Sequence, residues 1–237
     1  MAYHYEMLFF LYYLIGLSAL QGLNAVEYQA FNYASGTTGG TRFDTQIGVE
    51  YSREKLKSAS EFIWQTFRQT SETERKSVQS VSLFVETMAD GMNGWHGVPA
   101  YAVNNEIHVN ATYIEVYKGD VNREITGILY HEVTHVWQWD GNGQPGAGVL
   151  IEGVADFIRL KAGYAPSHWV KPGEGNSWDQ GYDVTAHFLD YCDGLKNGFV
   201  AELNAKMKTA YSAQFFVELL GKTVDQLWAD YKAKYGN

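Results

Sequence analysis

Residues 130–156 read YHEVTHVWQWDGNGQPGAGVLIEGVAD, two helix-forming segments on either side of a glycine-rich link. The first segment carries His131, Glu132 and His135 in the spacing HExxH. On an α-helix, residues four apart lie within about 40° of each other, so both imidazoles leave the same face. Two neutral imidazoles at this spacing can take adjacent corners of a zinc tetrahedron. Glu132 lies roughly 60° from His135 around the helix, where its carboxylate can reach a metal-bound water without binding the metal, so the motif predicts a zinc centre with a built-in general base.

The second segment supplies a candidate for the third protein ligand that a catalytic zinc centre takes. Glu152 and Asp156 are four residues apart and therefore share a face of a second helix. The link over 140–148 is rich in turn-forming residues and cannot continue the first helix. Two antiparallel helices would bring Glu152 opposite the histidines, with Asp156 accepting the free N–H of one of them. A pair of core histidines is the alternative for a bare HExxH, and the Glu-x-x-x-Asp pattern favours the metal.

Composition limits the class of protein. The chain has 237 residues, 46% of them hydrophobic and 19% charged, which is enough for one domain with a substantial core. The net charge of −9 argues against nucleic acid or an anionic membrane as a partner. Cys192 is the one cysteine, so an internal disulfide is impossible, and we expect a buried, inert thiol.

The N-terminus indicates secretion. Residues 7–20 are an apolar run that is short for a membrane span but suits the central region of a signal peptide. We predict cleavage after Ala25, which makes residues 1–25 a signal peptide and 26–237 the mature domain, with no membrane association afterwards. An uncleaved anchor or a buried helix is the alternative. In a secreted chain, the sequon at Asn110–Thr112 could carry an N-glycan at Asn110.

Periodicity predicts strands first and helices afterwards. Strands are expected over 26–31, 78–85 and, as a hairpin, 101–109; helices are expected over 50–69, 121–139, 150–162, 182–194, 198–209, 212–220 and 223–235. This order indicates an α+β fold. We predict a single domain, with a small N-terminal sheet and helix followed by a helical C-terminal half.

Three connecting segments have predicted roles or conformations. Residues 35–40 and 91–97 are expected to be loops, and residues 106–109 an edge strand that pairs with an extended substrate. The long segment 164–180 lacks periodicity, and with Trp169 and Trp178 it could form one wall of a substrate cleft. A packed surface crossing is the alternative for this segment.

Several stretches of the chain resemble one protein family, the plant basic secretory proteins, which are grouped with peptidases of plants and bacteria. The matching stretches are Asn105–Val109, Arg123–Gly127, Leu129–Trp139, Leu150–Asp156, Tyr164–Gly173, Trp178–Ala186 and Tyr231–Asn237. The resemblance implies a zincin-like fold, secretion to the apoplast and an association with plant defence. This chain differs from the family's name in being acidic, so ideas about partners of a basic protein do not transfer.

The two predicted site helices also look like those of gluzincins, in which the third ligand is a Glu in a Glu-Gly-x-Ala motif. Because the link is slightly shorter here, Asp156 remains the alternative third ligand to Glu152. The resemblance further implies that Tyr182 donates to the reaction intermediate, and a core tyrosine is the alternative. Arg159 shares the face of Asp156, and we expect an ion pair between them, with binding of a substrate carboxylate as the alternative.

The sequence therefore predicts a secreted, monomeric zinc metallopeptidase that acts on a peptide or protein. Zn²⁺ is bound by His131, His135 and Glu152, and Glu132 is the general base for a zinc-activated water. One alternative is a secreted defence-related binding protein with a retained, non-catalytic zinc site; another is hydrolysis of a non-peptide substrate by the same residues. The presence of Glu132 favours catalysis, since a purely structural zinc site has no use for it.

Overall fold

The computed structural model describes residues 25–88 and 97–236. The predicted signal peptide lies outside these residues except for Ala25, and so does the predicted loop over 91–97 except for Gly97. None of the helices in the described ranges is long and apolar enough to cross a membrane. Within the described ranges the chain forms a four-stranded sheet and nine α-helices, which confirms the predicted α+β fold.

The sheet is mixed, with strand order β1-β2-β4-β3. Its strands are β1 (Glu27–Asn32), β2 (Ser80–Glu86), β3 (Ala100–Val103) and β4 (Glu106–Asn110). β1 and β4 run parallel to β2, whereas β3 is antiparallel to β4 across a turn in which Asn104 and Asn105 have φ of 50° and 65°. Both values match the turn type that suits the twist of a two-residue hairpin. The expectation of an edge strand at 106–109 is wrong, because β3 covers that side of β4 and is itself the edge.

The helices follow the predicted order. They are α1 (Thr38–Gln46), α2 (Val49–Thr66), α3 (Ala111–Val116), α4 (Val121–Trp137), α5 (Ala147–Lys161), α6 (Tyr182–Leu195), α7 (Phe199–Lys206), α8 (Gln214–Leu220) and α9 (Val224–Tyr235). No strand follows Asn110 in the described part of the chain. Seven of these helices were predicted, and the segment 164–180 is free of helix and strand, also as predicted.

Two helices, α1 and α3, were missed. The expected loop over 35–40 is wrong from Thr38 onward, where α1 begins with the Thr37 hydroxyl accepting from the Gly40 N–H at 3.0 Å. A Cβ at Gly39 would lie 1.9 Å from the carbonyl oxygen of Ala111, the first residue of α3. The glycines that suggest a loop therefore permit close packing of α1, and tertiary contact outweighs their low helix propensity.

The α4 helix packs against both the sheet and α2. Its buried residues Ile125 and Leu129 belong to one apolar core with Leu56 of α2 and Leu83 of β2. Two hydrogen bonds join α2 to α4 along its length: Tyr51 to Thr126 at 2.9 Å, and Trp137 Nε1 to Ser60 Oγ at 2.9 Å. These contacts near both ends fix the rotation of α4 about its axis.

The structure bears on two predictions about single residues, Cys192 in α6 and Asn110 before α3. Cys192 is buried, as expected, and burial raises the pKa of its thiol far above the usual value. Asn110 is 8% exposed and is the N-cap of α3, its Oδ1 accepting from the Thr112 N–H at 3.0 Å. The N-glycan at Asn110 stays a prediction, and its attachment would have to precede the packing of this cap.

The α5 and α6 helices cross at Gly153, next to the candidate ligand Glu152. A Cβ at Gly153 would lie 2.3 Å from Thr185 Cγ2 and 2.6 Å from Thr185 Cβ, so only glycine allows this approach. Thr185 is itself fixed, since its hydroxyl donates to the Trp178 carbonyl at 2.6 Å and accepts from the Gly181 N–H at 2.9 Å. The crossing therefore has little freedom to adjust.

We expect Gly153→Ala to lower the free energy of unfolding by about 1–3 kcal/mol, because the two helices must separate. Gly148→Ala is the matched control: it lies on the same helix, is exposed, and a Cβ there meets no atom within 4 Å. This control should raise stability by about 0.5–1 kcal/mol through the helix propensity of alanine. Urea unfolding of both variants measures the difference, and equal stabilities would contradict the tight crossing.

Candidate metal centre

The first helix of the centre has defined ends. α4 begins at an N-cap in which Asp120 Oδ1 accepts from the Arg123 N–H at 3.0 Å. It ends at Trp137, after which Gln138 turns to an extended conformation. The connection to α5 includes Gly141, Gly143 and Gly146, all with positive φ, which explains why the right-handed α-helix does not continue through this segment.

The second helix packs antiparallel to the first, as the order of their contacts shows. Glu124, near the start of α4, pairs with Arg159 near the end of α5, while His131 pairs with Asp156 and Glu152 farther back along α5. This is the arrangement that the sequence predicts. It brings the candidate ligands of both helices to one place.

Three ligand atoms converge at the centre. The Nε2 atoms of His131 and His135 lie 3.1 Å apart, and Glu152 Oε2 lies 3.2 Å from the first and 3.7 Å from the second. One atom from each of the three residues falls within 4.8 Å of the others, close enough to hold a metal ion. Two imidazole nitrogens and a carboxylate oxygen form a donor set that suits zinc.

Asp156 lies on the other side of the His131 ring from the three converging atoms. Its Oδ1 is 2.7 Å from His131 Nδ1, and its side chain is buried. In this position it can accept the Nδ1–H and leave Nε2 free as a ligand, the role expected for Asp156. The geometry therefore favours Glu152 over Asp156 as the third ligand.

The second histidine has a supporting residue that the sequence did not reveal. The side-chain amide of Gln138 lies 2.7 Å from His135 Nδ1, and Gln138 is buried. The amide atom at this distance is Nε2, which donates to Nδ1 in this orientation; a 180° turn of the amide would instead present Oε1, which could accept the Nδ1–H of His135 as Asp156 does for His131. The signal that could have identified it is a polar residue three positions after the second histidine, at the end of the helix.

The charges of the centre are strongly coupled. Burial alone would lower the pKa of His131, but its hydrogen bonds to Asp156 and Glu152 outweigh burial and raise the pKa. Burial and the neighbouring charge of His131 lower the pKa of His135. A divalent cation at the imidazole nitrogens would compete with protons for the same sites.

Glu132 has a different environment from the ligands. Its carboxyl group is buried, and burial raises its pKa to about 7, because the charge of His131 offsets only part of the desolvation. For Glu152, burial alone would raise the pKa, but the hydrogen bond to His131 lowers it below the usual value. The two glutamates thus divide into one group that can exchange a proton near neutral pH and one that stays charged.

These groups open into a cleft of about 580 Å³. Its walls come from β3, from α4 and α5, from the start of α6 and from the segment 164–180. Trp169 lines the cleft as expected, whereas Trp178 is absent from the cleft lining and, partly buried, packs against Phe188 and Phe216. The prediction of a cleft wall thus holds for one of the two tryptophans.

Tyr182 lies at the edge of the cleft, 55% exposed, with its ring nearly parallel to that of His131 at a centroid distance of 6.3 Å. Its φ of 45° is unusual for a residue other than glycine, and such strain is often found at functional sites. Partial burial and the carboxylates of Glu152 and Asp156 raise the pKa of Tyr182, so its phenol remains a hydrogen-bond donor at neutral pH.

Arg159 does not pair with Asp156, and that expectation is wrong. Arg159 Nη2 instead lies 3.0 Å from Glu124 Oε2, in a buried ion pair. The reason is that Asp156 is already hydrogen-bonded to His131. Glu124, which lies two turns before His131 on α4, is the carboxylate that reaches Arg159. Glu124 is further satisfied by the Tyr113 hydroxyl, which donates to Oε1 at 3.0 Å.

Comparison with known proteins places the chain among the peptidases. The model of one family, described as "BSP: Peptidase of plants and bacteria", matches residues 23–231, and the chain belongs to this family. A curated relative is the basic secretory protease of Boswellia serrata, which is 51% identical over 59 residues, 25% of this chain and 67% of the relative. No solved structure matches the chain. The resemblance to the basic secretory proteins is therefore confirmed.

The arrangement of the two carboxylates predicts different effects on zinc binding. Glu152→Gln should abolish tight binding because it removes a charged ligand, whereas Asp156→Asn should weaken binding by about 10–100-fold because it disturbs only the support of a ligand. Asp190→Asn, in an exposed ion pair with Lys161, is the control and should have no effect. Zinc dissociation constants from competition with a chromophoric chelator measure all three, and the reverse order would make Asp156 the ligand.

Proposed function

We propose that this member of the peptidase family is a zinc metallopeptidase that cleaves peptide bonds in its cleft. The observation that carries the proposal is the convergence of the His131 and His135 Nε2 atoms with Glu152 Oε2 beside the buried Glu132. His131, His135 and Glu152 would hold the metal. Bound zinc lowers the pKa of water towards about 7 and polarises a carbonyl group.

Glu132 is the proton carrier in this proposal. Its side chain reaches the cleft but is buried, and its raised pKa lets it take a proton and return it within one cycle. It accepts the proton from the attacking water and then donates it to the nitrogen of the leaving amine. Asp156 holds His131 in the orientation that keeps Nε2 directed at the metal.

Tyr182 is the second proposed catalytic residue. Its phenol stays protonated and stands at the edge of the cleft beside His131. It can therefore donate a hydrogen bond to the oxygen that gains negative charge as water attacks the carbonyl. The strained backbone at Tyr182 is consistent with a position maintained for function.

The substrate is proposed to be a peptide or protein segment that lies along β3. Among the described residues this strand lies at one of the two edges of the sheet, and its residues Ala100–Ala102 line the cleft. A strand at the edge of a sheet can pair with an extended peptide through backbone N–H and C=O groups. Pairing with an extended substrate, which the sequence predicts for 106–109, is therefore proposed for the neighbouring strand β3.

Secretion and biological role are part of the proposal. The apolar run at 7–20 supports a signal peptide over 1–25 and export to the apoplast, and the relative from Boswellia serrata is named a secretory protease. A role in plant defence rests on the resemblance to the family. We propose that the mature chain, 26–237, acts as a monomer.

The rival function is a secreted binding protein that retains a non-catalytic metal. Glu132 argues against this rival. Its carboxyl group is buried at a cost in desolvation, lies at the cleft and ligates nothing in the proposed centre. A structural centre would gain nothing from such a residue.

Glu132→Gln should lower kcat for peptide hydrolysis by about 10²–10⁴-fold, because the amide cannot accept a proton. Zinc content should stay that of the wild type, since the three ligands remain. Glu218→Gln, in an exposed ion pair with Lys206, is the control with unchanged kcat. If Glu132→Gln cleaves peptides at the wild-type rate, Glu132 is not the base. If the wild type itself binds zinc and cleaves no peptide, the binding protein becomes the better account.

Tyr182→Phe should lower kcat by about 10²–10³-fold with little change in KM, because a donor to the transition state is lost while ground-state contacts of the ring remain. Tyr33→Phe is the matched control, as Tyr33 is 68% exposed and outside the cleft. Steady-state kinetics on one fluorogenic peptide compares the two variants. A change in KM alone would show that Tyr182 only contacts the substrate.

A further inference from the structure

Arg159 is the one lysine or arginine among the described residues that line the cleft. Its side chain is 9% exposed, so the guanidinium is almost entirely enclosed by protein while still reaching the cavity. Neither the proposed zinc ligands nor the proton transfer uses it. The cleft wall therefore contains a fixed cation among several carboxylates, and the proposed catalytic steps do not explain its presence.

The guanidinium is held from several sides. Nη2 pairs with Glu124 at 3.0 Å, Nε donates to the Tyr164 carbonyl at 3.2 Å, and the Trp169 ring centre lies 5.5 Å from Cζ. Gly127 of α4 packs directly against the guanidinium, since a Cβ at Gly127 would lie 2.7 Å from Arg159 Nε. The group is therefore immobile before any ligand arrives, which reduces the entropic cost of binding.

This set of contacts leaves donors unused. A guanidinium has five N–H groups, and the contacts to Glu124 and Tyr164 occupy Nε and one N–H of Nη2. Nη1 has no hydrogen bond to any other residue in the described ranges. Glu124 does not need Nη1 either, because the hydroxyls of Tyr113 and Tyr117 also donate to its carboxylate, at 3.0 and 3.4 Å.

Arg159 is also close to the metal centre. Gly127, against which it rests, is four residues before His131 on α4, so the two positions are about one turn, or roughly 5–6 Å, apart. A residue of an extended peptide spans about 3.3–3.6 Å, so a group at Arg159 would be one or two residues from the bond that is cleaved.

We propose that Arg159 binds a carboxylate of the substrate, so that the cleft selects peptides with a carboxylate one or two residues from the scissile bond. This inference rests on the proposed peptidase function. The planar fork of an arginine matches a carboxylate with two parallel hydrogen bonds. The carboxylate comes from the C-terminus of the peptide or from an aspartate or glutamate side chain, and the two sources differ in a binding experiment.

Binding is measured by calorimetry with zinc-loaded Glu132→Gln protein, which holds substrates without cleaving them. One pair of peptides differs in a free or an amidated C-terminus, and a second, amidated pair differs in an internal Asp or Asn. The test variant adds Arg159→Gln and Glu124→Gln together, so that no buried charge loses its partner. Lys161→Gln, two residues farther along α5 and in an exposed pair with Asp190, is the matched control.

We expect the carboxylate member of one pair to bind at least tenfold more tightly than its neutral partner, and this ratio to fall to near one in the double variant alone. A preference within the first pair identifies the C-terminus as the source, and a preference within the second identifies a side chain. Equal affinity within both pairs, or a ratio that survives in the double variant, would overturn the proposal. Thermal unfolding and zinc content establish that the double variant is folded.

Cleavage of the same peptides by the wild type tests the role of Arg159 separately from the proposed peptidase function. Peptides that the wild type cleaves without any preference for a carboxylate would overturn the role of Arg159 and leave the peptidase intact. Peptides that bind through their carboxylate but are not cleaved by the wild type would support the role of Arg159 and contradict peptide hydrolysis.

Discussion

The hydrogen bond between His131 and Asp156, 2.7 Å long and buried between α4 and α5, is the contact on which the rest of the centre depends. Buried polar groups are costly unless they are paired, so this bond and the Glu124–Arg159 ion pair allow one register of the two helices. That register places Glu152 opposite both histidines. The same contacts that align the helices thus also build the candidate metal centre.

The two histidines are supported unequally. His131 is held by a carboxylate, and His135 is held by the neutral amide of Gln138. A carboxylate makes an imidazole a stronger ligand than an amide does, because it shares the Nδ1 proton more fully. The support therefore differs in charge on the two sides of the centre, while Glu152 contributes the negative charge of the third ligand. Glu132 is not one of the three proposed ligands, so its carboxyl group stays available for proton transfer.

The spacings within single helices were predictable from the sequence, because helix geometry alone brings residues four apart to one face. This is why His131, His135, Glu152 and Asp156 could be placed before the fold was known. Contacts between elements could not be read in the same way. The pairing of Arg159 with Glu124 and the helices α1 and α3 depend on packing between segments far apart in the chain. The edge position of β3 likewise depends on which strand pairs with which, and local periodicity does not carry that information.

Binding of one zinc ion by His131, His135 and Glu152 can be tested by X-ray absorption at the zinc edge of the purified protein. We expect one zinc for each chain, with two imidazole nitrogens at about 2.0–2.1 Å and carboxylate or water oxygens at about 2.0–2.2 Å. Absence of stoichiometric zinc after saturation with the metal would contradict it. A sulfur neighbour at about 2.3 Å would also contradict it, because it would place the metal at Cys192, which is not among the converging ligands.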